Sequence, residues 1–169
     1  NYGDSVTVWA NASVGSTFSG FSGSLSGTMS PQTLVFDGDE SVDAVFTLDV
    51  YTLTLTMSGS GAGTIEASSS GPFNYGDSVT VWANASVGST FTGFSGSLTG
   101  TTTPQTLVFD GDESVDAVFT LDVYTLTLTM SGSGAGTIEA SSSGPFNYGD
   151  SVTVWANASV GSTFTGFSG

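Results

Sequence analysis

The chain contains no lysine, arginine, histidine or cysteine in its 169 residues, against 15 aspartates and glutamates, a formal charge of −15. Each absence removes a class of chemistry. No salt bridge between side chains can form. No imidazole or thiol can serve as zinc ligand, nucleophile or general base, and no lysine can form a Schiff base, so the chain is not expected to be an enzyme. Nothing can neutralise phosphates, which excludes nucleic acid as a direct partner, and an anionic membrane surface repels the chain. Without cysteine there is no disulfide framework and no dependence on redox state. No apolar run approaches the roughly 18 residues of a membrane span, so no direct membrane insertion is expected. The chain opens at Asn1 in mid-pattern, without signal peptide or initiator Met, and is read as a window of a longer mature protein.

What is present is folded material. Hydrophobic residues make up 38% and aromatics 12%, while charged residues are only 9%, the opposite of an acidic disordered tail. Internal repetition organises all of it. NYGDSVTVWANASVGSTF begins at Asn1, Asn74 and Asn147, a period of 73 residues. Residues 1–73 and 74–146 differ only at Ser19/Thr92, Ser26/Thr99, Met29/Thr102 and Ser30/Thr103. Near-identity argues against a separate specialised site in each copy and favours a modular array in which copy number sets length.

Within a period the pattern is that of strands. Tyr51, Leu53, Leu55 and Met57 alternate with threonines, the signature of a half-buried strand. A Ser/Gly turn leads to a short strand over Thr64–Ser68, and a Gly-Pro-Phe-Asn-Tyr-Gly-Asp stretch to a third over Ser78–Asn84, with Val79, Val81 and Ala83 inward. Phe91 and Phe94 belong to a fourth, glycine-punctuated strand. Gln105–Phe109 and Glu113–Thr120 flank Asp110-Gly111-Asp112, which reads as a hairpin turn. The fold expected is all-β: a tandem array of small modules of about six strands each, an expectation resting on these alternations. Cutting before Tyr51 and Tyr124 gives one complete module, 51–123. Residues 1–50 then lack the first two strands of a copy, and 124–169 the last two. The link Thr120-Leu121-Asp122-Val123 has no Gly, Pro or Ser run and should be stiff.

These landmarks resemble those of the divergent InlB B-repeat family of bacterial and archaeal surface proteins. They are the opening YTLTLTM, Gly63-Thr64-Ile65, Tyr75-Gly76-Asp77 before SVTVWA, the run Gly88–Gly96, and Asp110-Gly111-Asp112 before the last strand. The resemblance spans the whole chain. It implies a compact, mostly-β, β-grasp-like or sandwich-like module, arrayed in tandem outside the cell, with no catalytic residues to transfer. Phe94, where the family usually has Trp, together with Trp82, Val118 and the lack of basic residues, departs from the usual pattern.

Several residues stand apart from this frame. Trp82, Val108 and Val118 are out of phase with the core positions beside them, as are Trp9, Val35, Val45 and Trp155 in the other copies. They are expected on an outward face, as an interface between copies or chains, as a second small core, or as a glycan-binding platform. Asp110, Asp112 and Glu113, with Asp37, Asp39 and Glu40 as equivalents, could offer oxygen ligands to Ca²⁺, although a turn accounts for Asp-Gly-Asp by itself. No other cofactor is implied. Asn11, Asn84 and Asn157 each open an Asn-Ala-Ser sequon, glycosylated only where the source has the machinery. A glycosidase-type carboxylate pair is not supported, since the carboxylates cluster at turns and recur in every copy.

Two functions follow. In one, the chain is part of an extracellular fibre or cell-surface stalk assembled from stacked β modules, its partners being copies of itself, whether neighbouring repeats or other chains. In the other, each module is an adhesin repeat recognising glycan or protein through Trp82. Incomplete copies could also be completed by strands from adjacent molecules.

Overall fold

The computed structural model describes residues 1–168 and is built from sixteen strands, with no helix among the described residues. In the first copy β1 (Ser5–Val8), β2 (Ser16–Gly23), β3 (Gln32–Val35) and β4 (Val42–Leu48) precede the short β5 (Val50–Tyr51). The complete copy follows as β6 (Leu53–Gly59), β7 (Gly63–Ala67), β8 (Phe73–Asn74), β9 (Ser78–Ala85), β10 (Ser89–Gly96), β11 (Gln105–Val108) and β12 (Glu113–Leu121). Then come β13 (Val123–Tyr124), β14 (Gly136–Ala140), β15 (Phe146–Asn147) and β16 (Val154–Ala158).

The complete copy is a sandwich of two three-stranded sheets, ordered β10-β12-β6 and β11-β9-β7. Alternation decides which residues enter the space between them. Val79, Val81 and Ala83 of β9, Leu107 of β11, and Val115, Ala117 and Phe119 of β12 are all buried there, with Phe109. Leu53 and Leu55 close the core from β6, and Ile65 and Ala67 from β7. Phe73 stacks on Phe109 at a centroid distance of 4.0 Å. Full burial of side chains such as Phe109, Phe119, Val81 and Val115 contributes about 1.5–3 kcal/mol each.

Phe91 and Phe94 are three apart, a spacing that would send them to opposite faces of a regular strand. The ladder between β10 and β12 slips between Phe91 and Gly93, and the extra residue returns both rings to the core side in an edge-to-face contact at 4.9 Å. Gly93 takes φ of +145° at the bulge, and a Cβ there would lie 3.0 Å from the Gly100 carbonyl oxygen.

The Asp110-Gly111-Asp112 link corrects the hairpin reading. β11 pairs with β9, whereas β12 pairs with β10 on one side and β6 on the other. Both edges of β12 are thus filled, and the link crosses between sheets, with Phe109 buried just before it.

The pairing of β6 with β12 sets the geometry of the array. It joins the first and last strands of the copy in parallel, Leu53 opposite Glu113 and Gly59 opposite Phe119. The chain therefore enters at one pole of the sandwich and leaves at the other. Only Asp122 separates β12 from β13, as only Asp49 separates β4 from β5. Each of these aspartates is tied to the copy it leaves. The Asp122 amide donates to the Gly88 carbonyl at 3.0 Å, and its Oδ1 accepts the Thr90 hydroxyl at 2.6 Å. Asp49 makes the same two bonds with Gly15 and Thr17. The Asp122 carbonyl then accepts the Tyr148 amide of the following copy at 3.0 Å.

Candidate functional site

Trp82 lies at the centre strand of the β11-β9-β7 sheet, on the face away from the core, as its phase predicts. It stands opposite Glu66 across the β7–β9 ladder, and its indole Nε1–H donates to Glu66 Oε2 at 3.2 Å. Trp155 and Glu139 repeat the arrangement at the same distance. The side chain of Trp82 is half-buried, while Trp9 is 66% exposed in the first copy, which has no strand equivalent to β7. Glu66 could not have been paired with Trp82 from sequence alone. The signal was its position on the short strand β7, facing outward by alternation.

Val108 is also outward and exposed, but it sits opposite Ser78, the first residue of β9 and four residues before Trp82. Val118 lies on the outer face of the other sheet, half-buried beside the bulge, where the Thr92 hydroxyl donates to its carbonyl. The structure therefore does not gather Trp82, Val108 and Val118 into one patch. Their equivalents Val35 and Val45 are exposed in the first copy, and Trp155 is exposed in the third.

The acidic turn is engaged within the fold. Asp112 Oδ1 accepts both the Thr52 amide at 2.8 Å and the Thr52 hydroxyl at 3.0 Å, and these two bonds hold its carboxyl below the usual range. Asp112 thus clasps the start of the module to the turn before its last strand. In the first copy the Ser24 hydroxyl, and after it Asp37, hold the Glu40 carboxyl low. Among the described residues no three carboxylates converge as a metal site, so Asp37, Asp39 and Glu40, and likewise Asp110, Asp112 and Glu113, are not brought together as a cage. Asp116, on the outer face of β12, accepts the Thr56 hydroxyl at 2.8 Å and the Ser58 hydroxyl.

The sequon asparagines Asn11, Asn84 and Asn157 are all exposed. Asn84 is two residues beyond Trp82 on the same outward face. At the start of the module, burial first, and then the negative charge of Asp49, push the Tyr51 phenol up.

A shallow depression of about 390 Å³ is lined by residues such as Met29, Pro31 and Gln32 of the first copy.

No curated protein matches the chain, and no solved structure matches it. A family model, the divergent InlB B-repeat domain, matches residues 1–50, 53–123 and 126–169. With nearly every residue inside one of these three segments, the chain belongs to the divergent InlB B-repeat family, whose members are typically repeats of cell-surface proteins.

Proposed function

We propose that this chain is a length of stiff rod in an extracellular fibre or cell-surface stalk, in which the number of copies sets the reach. The observation that carries this reading is the parallel pairing of β6 with β12, which puts the two poles of a module at its opposite ends. A module whose first and last strands ran antiparallel would send the next copy back alongside it. Here the next copy is sent onward, through a single aspartate whose amide and carboxylate are both bonded. Thirteen residues separate Glu113, the partner of Leu53, from Leu126, the equivalent of Leu53 one period on. The axial step per copy is therefore at most about 45 Å.

The test is the contour length of arrays of increasing copy number, by rotary-shadowed electron microscopy. A constant increment per copy, no larger than that step, with little bending, supports the rod. End-to-end distances growing as the square root of copy number would refute it.

A second reading, an adhesin repeat, is favoured by one observation: an outward Trp82 held by Glu66, recurring as Trp155 and Glu139. Trp82→Ala separates the two. Loss of assembly supports the structural reading, and loss of glycan binding with assembly intact supports the adhesin.

A further inference from the structure

Asparagine is depleted in strands and favoured in turns. Asn84 nevertheless lies inside β9, opposite Thr64 in the ladder with β7, and Asn157 lies in the same way opposite Thr137. Both are exposed. Among the described residues only glycines take a positive φ, so no left-handed backbone calls for an asparagine here. The serine two residues on serves the fold through its backbone. The Ser86 amide donates to the Ala62 carbonyl at 2.9 Å, and the Ser86 carbonyl accepts the Ser89 amide at 3.0 Å. Neither the ladder nor the turn needs a carboxamide at 84 or a hydroxyl at 86, yet Asn-Ala-Ser stands there in each copy.

The strand then sets an aromatic ring beside that asparagine. Val81 and Ala83 are buried, so Trp82 and Asn84 rise from the same outer face, about 6.8 Å apart along the strand. One rung pairs Trp82 with Glu66 and the next on that face pairs Asn84 with Thr64. The hydrogen bond from the indole Nε1–H to Glu66 holds the ring in place before any partner arrives. Trp155, Glu139, Asn157 and Thr137 repeat the quartet.

We propose that Asn84 carries an N-linked glycan whose first sugar lies on the Trp82 indole. The donor is an oligosaccharide carried on a polyprenyl diphosphate, and the transfer is a substitution at its anomeric carbon. The Asn84 Nδ2 forms the new bond to C1 as the C1–O bond to phosphate breaks. The polyprenyl diphosphate leaves with the electron pair, the amide nitrogen gives up one proton, and nothing is oxidised or reduced. Repeats of this family are typically found in cell-surface proteins, on the side of the membrane where such transfer takes place. The apolar C–H face of a pyranose removes the indole from water as any apolar surface does. The Glu66 carboxylate and the Thr64 hydroxyl flank it as partners for sugar hydroxyls. The Trp82 face thus receives an occupant from its own module, one that adds bulk without charge. The inference does not depend on the rod reading, which rests on the other sheet.

Mass spectrometry of the native surface material tests the attachment. Cleavage before aspartate releases residues 4–36 and 77–109, whose masses differ through the four positions that distinguish the copies, so Asn84 is read apart from Asn11. The 77–109 peptide is expected to carry one oligosaccharide, and a bare peptide overturns the proposal. A second experiment tests the seat on Trp82. The full chain with Asn11→Gln and Asn157→Gln is secreted from a host that has the oligosaccharide transferase, and the same chain is made in a host without it. The glycosylated form is expected to melt at the higher temperature, and Trp82→Ala is expected to lose that increment. Nuclear cross-relaxation between the first sugar and the indole gives a reading that needs no substitution at Trp82. An increment unchanged in Trp82→Ala, or a sugar with no cross-relaxation to the indole, overturns the seat. Burial of Trp82 on association of the bare chain, with Asn84 bare in the native material, would assign the face to a second copy instead.

Discussion

The ring of Tyr148 lies directly against Gly88, so close that a Cβ on that glycine would fall 2.0 Å from the ring. Tyr75 stands in the same relation to Gly15. Each tyrosine belongs to the copy that follows its glycine, so the contact bridges two modules beside the strand that already connects them. Gly15 and Gly88 are buried by it, whereas Gly161, whose following copy is not in this chain, is exposed.

Gly88→Ala is therefore expected to loosen the joint while leaving the module folded. The substitution meets the tyrosine ring and also a φ of +75°, a left-handed conformation that costs an L-residue roughly 1 kcal/mol. Small-angle scattering is the measurement. The maximum dimension should fall and the distance distribution broaden, with the thermal melt of the complete copy little changed. An unaltered scattering profile would show that the strand alone sets the stiffness.

Phe119 and Phe46 are the same residue of the repeat in two environments, and truncating them gives unequal costs. Phe119→Ala removes a fully buried ring and is expected to destabilise the complete copy by about 3–5 kcal/mol. Phe46→Ala, in dilute monomer, removes a ring already nearly half in water and should cost far less. Urea midpoints for the two variants settle it, and equal shifts would mean that Phe46 is buried in solution.

Much of this arrangement was legible beforehand, for reasons that particular residues make plain. The inward set Val79, Val81 and Ala83 and the outward Trp82 followed from alternation alone, because one face of β9 is buried and the period of a strand is two. The short, turn-free link over residues 120–123 was readable because a lone aspartate between apolar strand residues offers no turn, whereas the interruption of the strand at Asp122 itself was not. Pairing partners were not readable. Asp110-Gly111-Asp112 carries the chemistry of a hairpin, yet the strands around it enter different sheets, since the edges of β12 are taken by residues far away in sequence. The Leu-Thr-Leu-Thr-Met stretch makes the same point within one molecule, a strand at residues 53–57 and none at 126–130. Its local pattern is identical in both places, so the deciding factor is the remote partner. Trp82 and Glu66 were likewise joined only by register.

Asp112 ties the start of the module to the turn before β12, and its depressed pKa makes the tie sensitive to acid. A carboxyl lowered on folding adds stability that is present above its unfolded value and lost as pH falls through the folded one. Asp112→Ala should therefore lower the urea midpoint of the complete copy at neutral pH. Once the pH has fallen below the folded-state value of Asp112, where the parent carboxyl is also protonated, the difference should vanish. A penalty that persists unchanged into acid would mean that the side chain acts through packing rather than through its charge.

The last expectation concerns ions. With 15 carboxylates and no basic side chain, every charge–charge interaction between side chains in the fold is repulsive, and the Asn1 ammonium offsets only Asp4, at 2.8 Å. Salt screens such repulsion over a Debye length of about 10 Å at 0.1 M, so the melting temperature should rise with ionic strength. A Ca²⁺ site would add something different: stabilisation at low concentration, beyond that of sodium chloride at equal ionic strength, reversed by EDTA. Since Asp112 already spends its carboxylate on Thr52 and no three carboxylates converge among the described residues, the two salts are expected to act alike. Melting curves in matched series of the two decide it. A calcium-specific rise, abolished by Asp110→Asn or Glu113→Gln, would assign the acidic turn to metal after all.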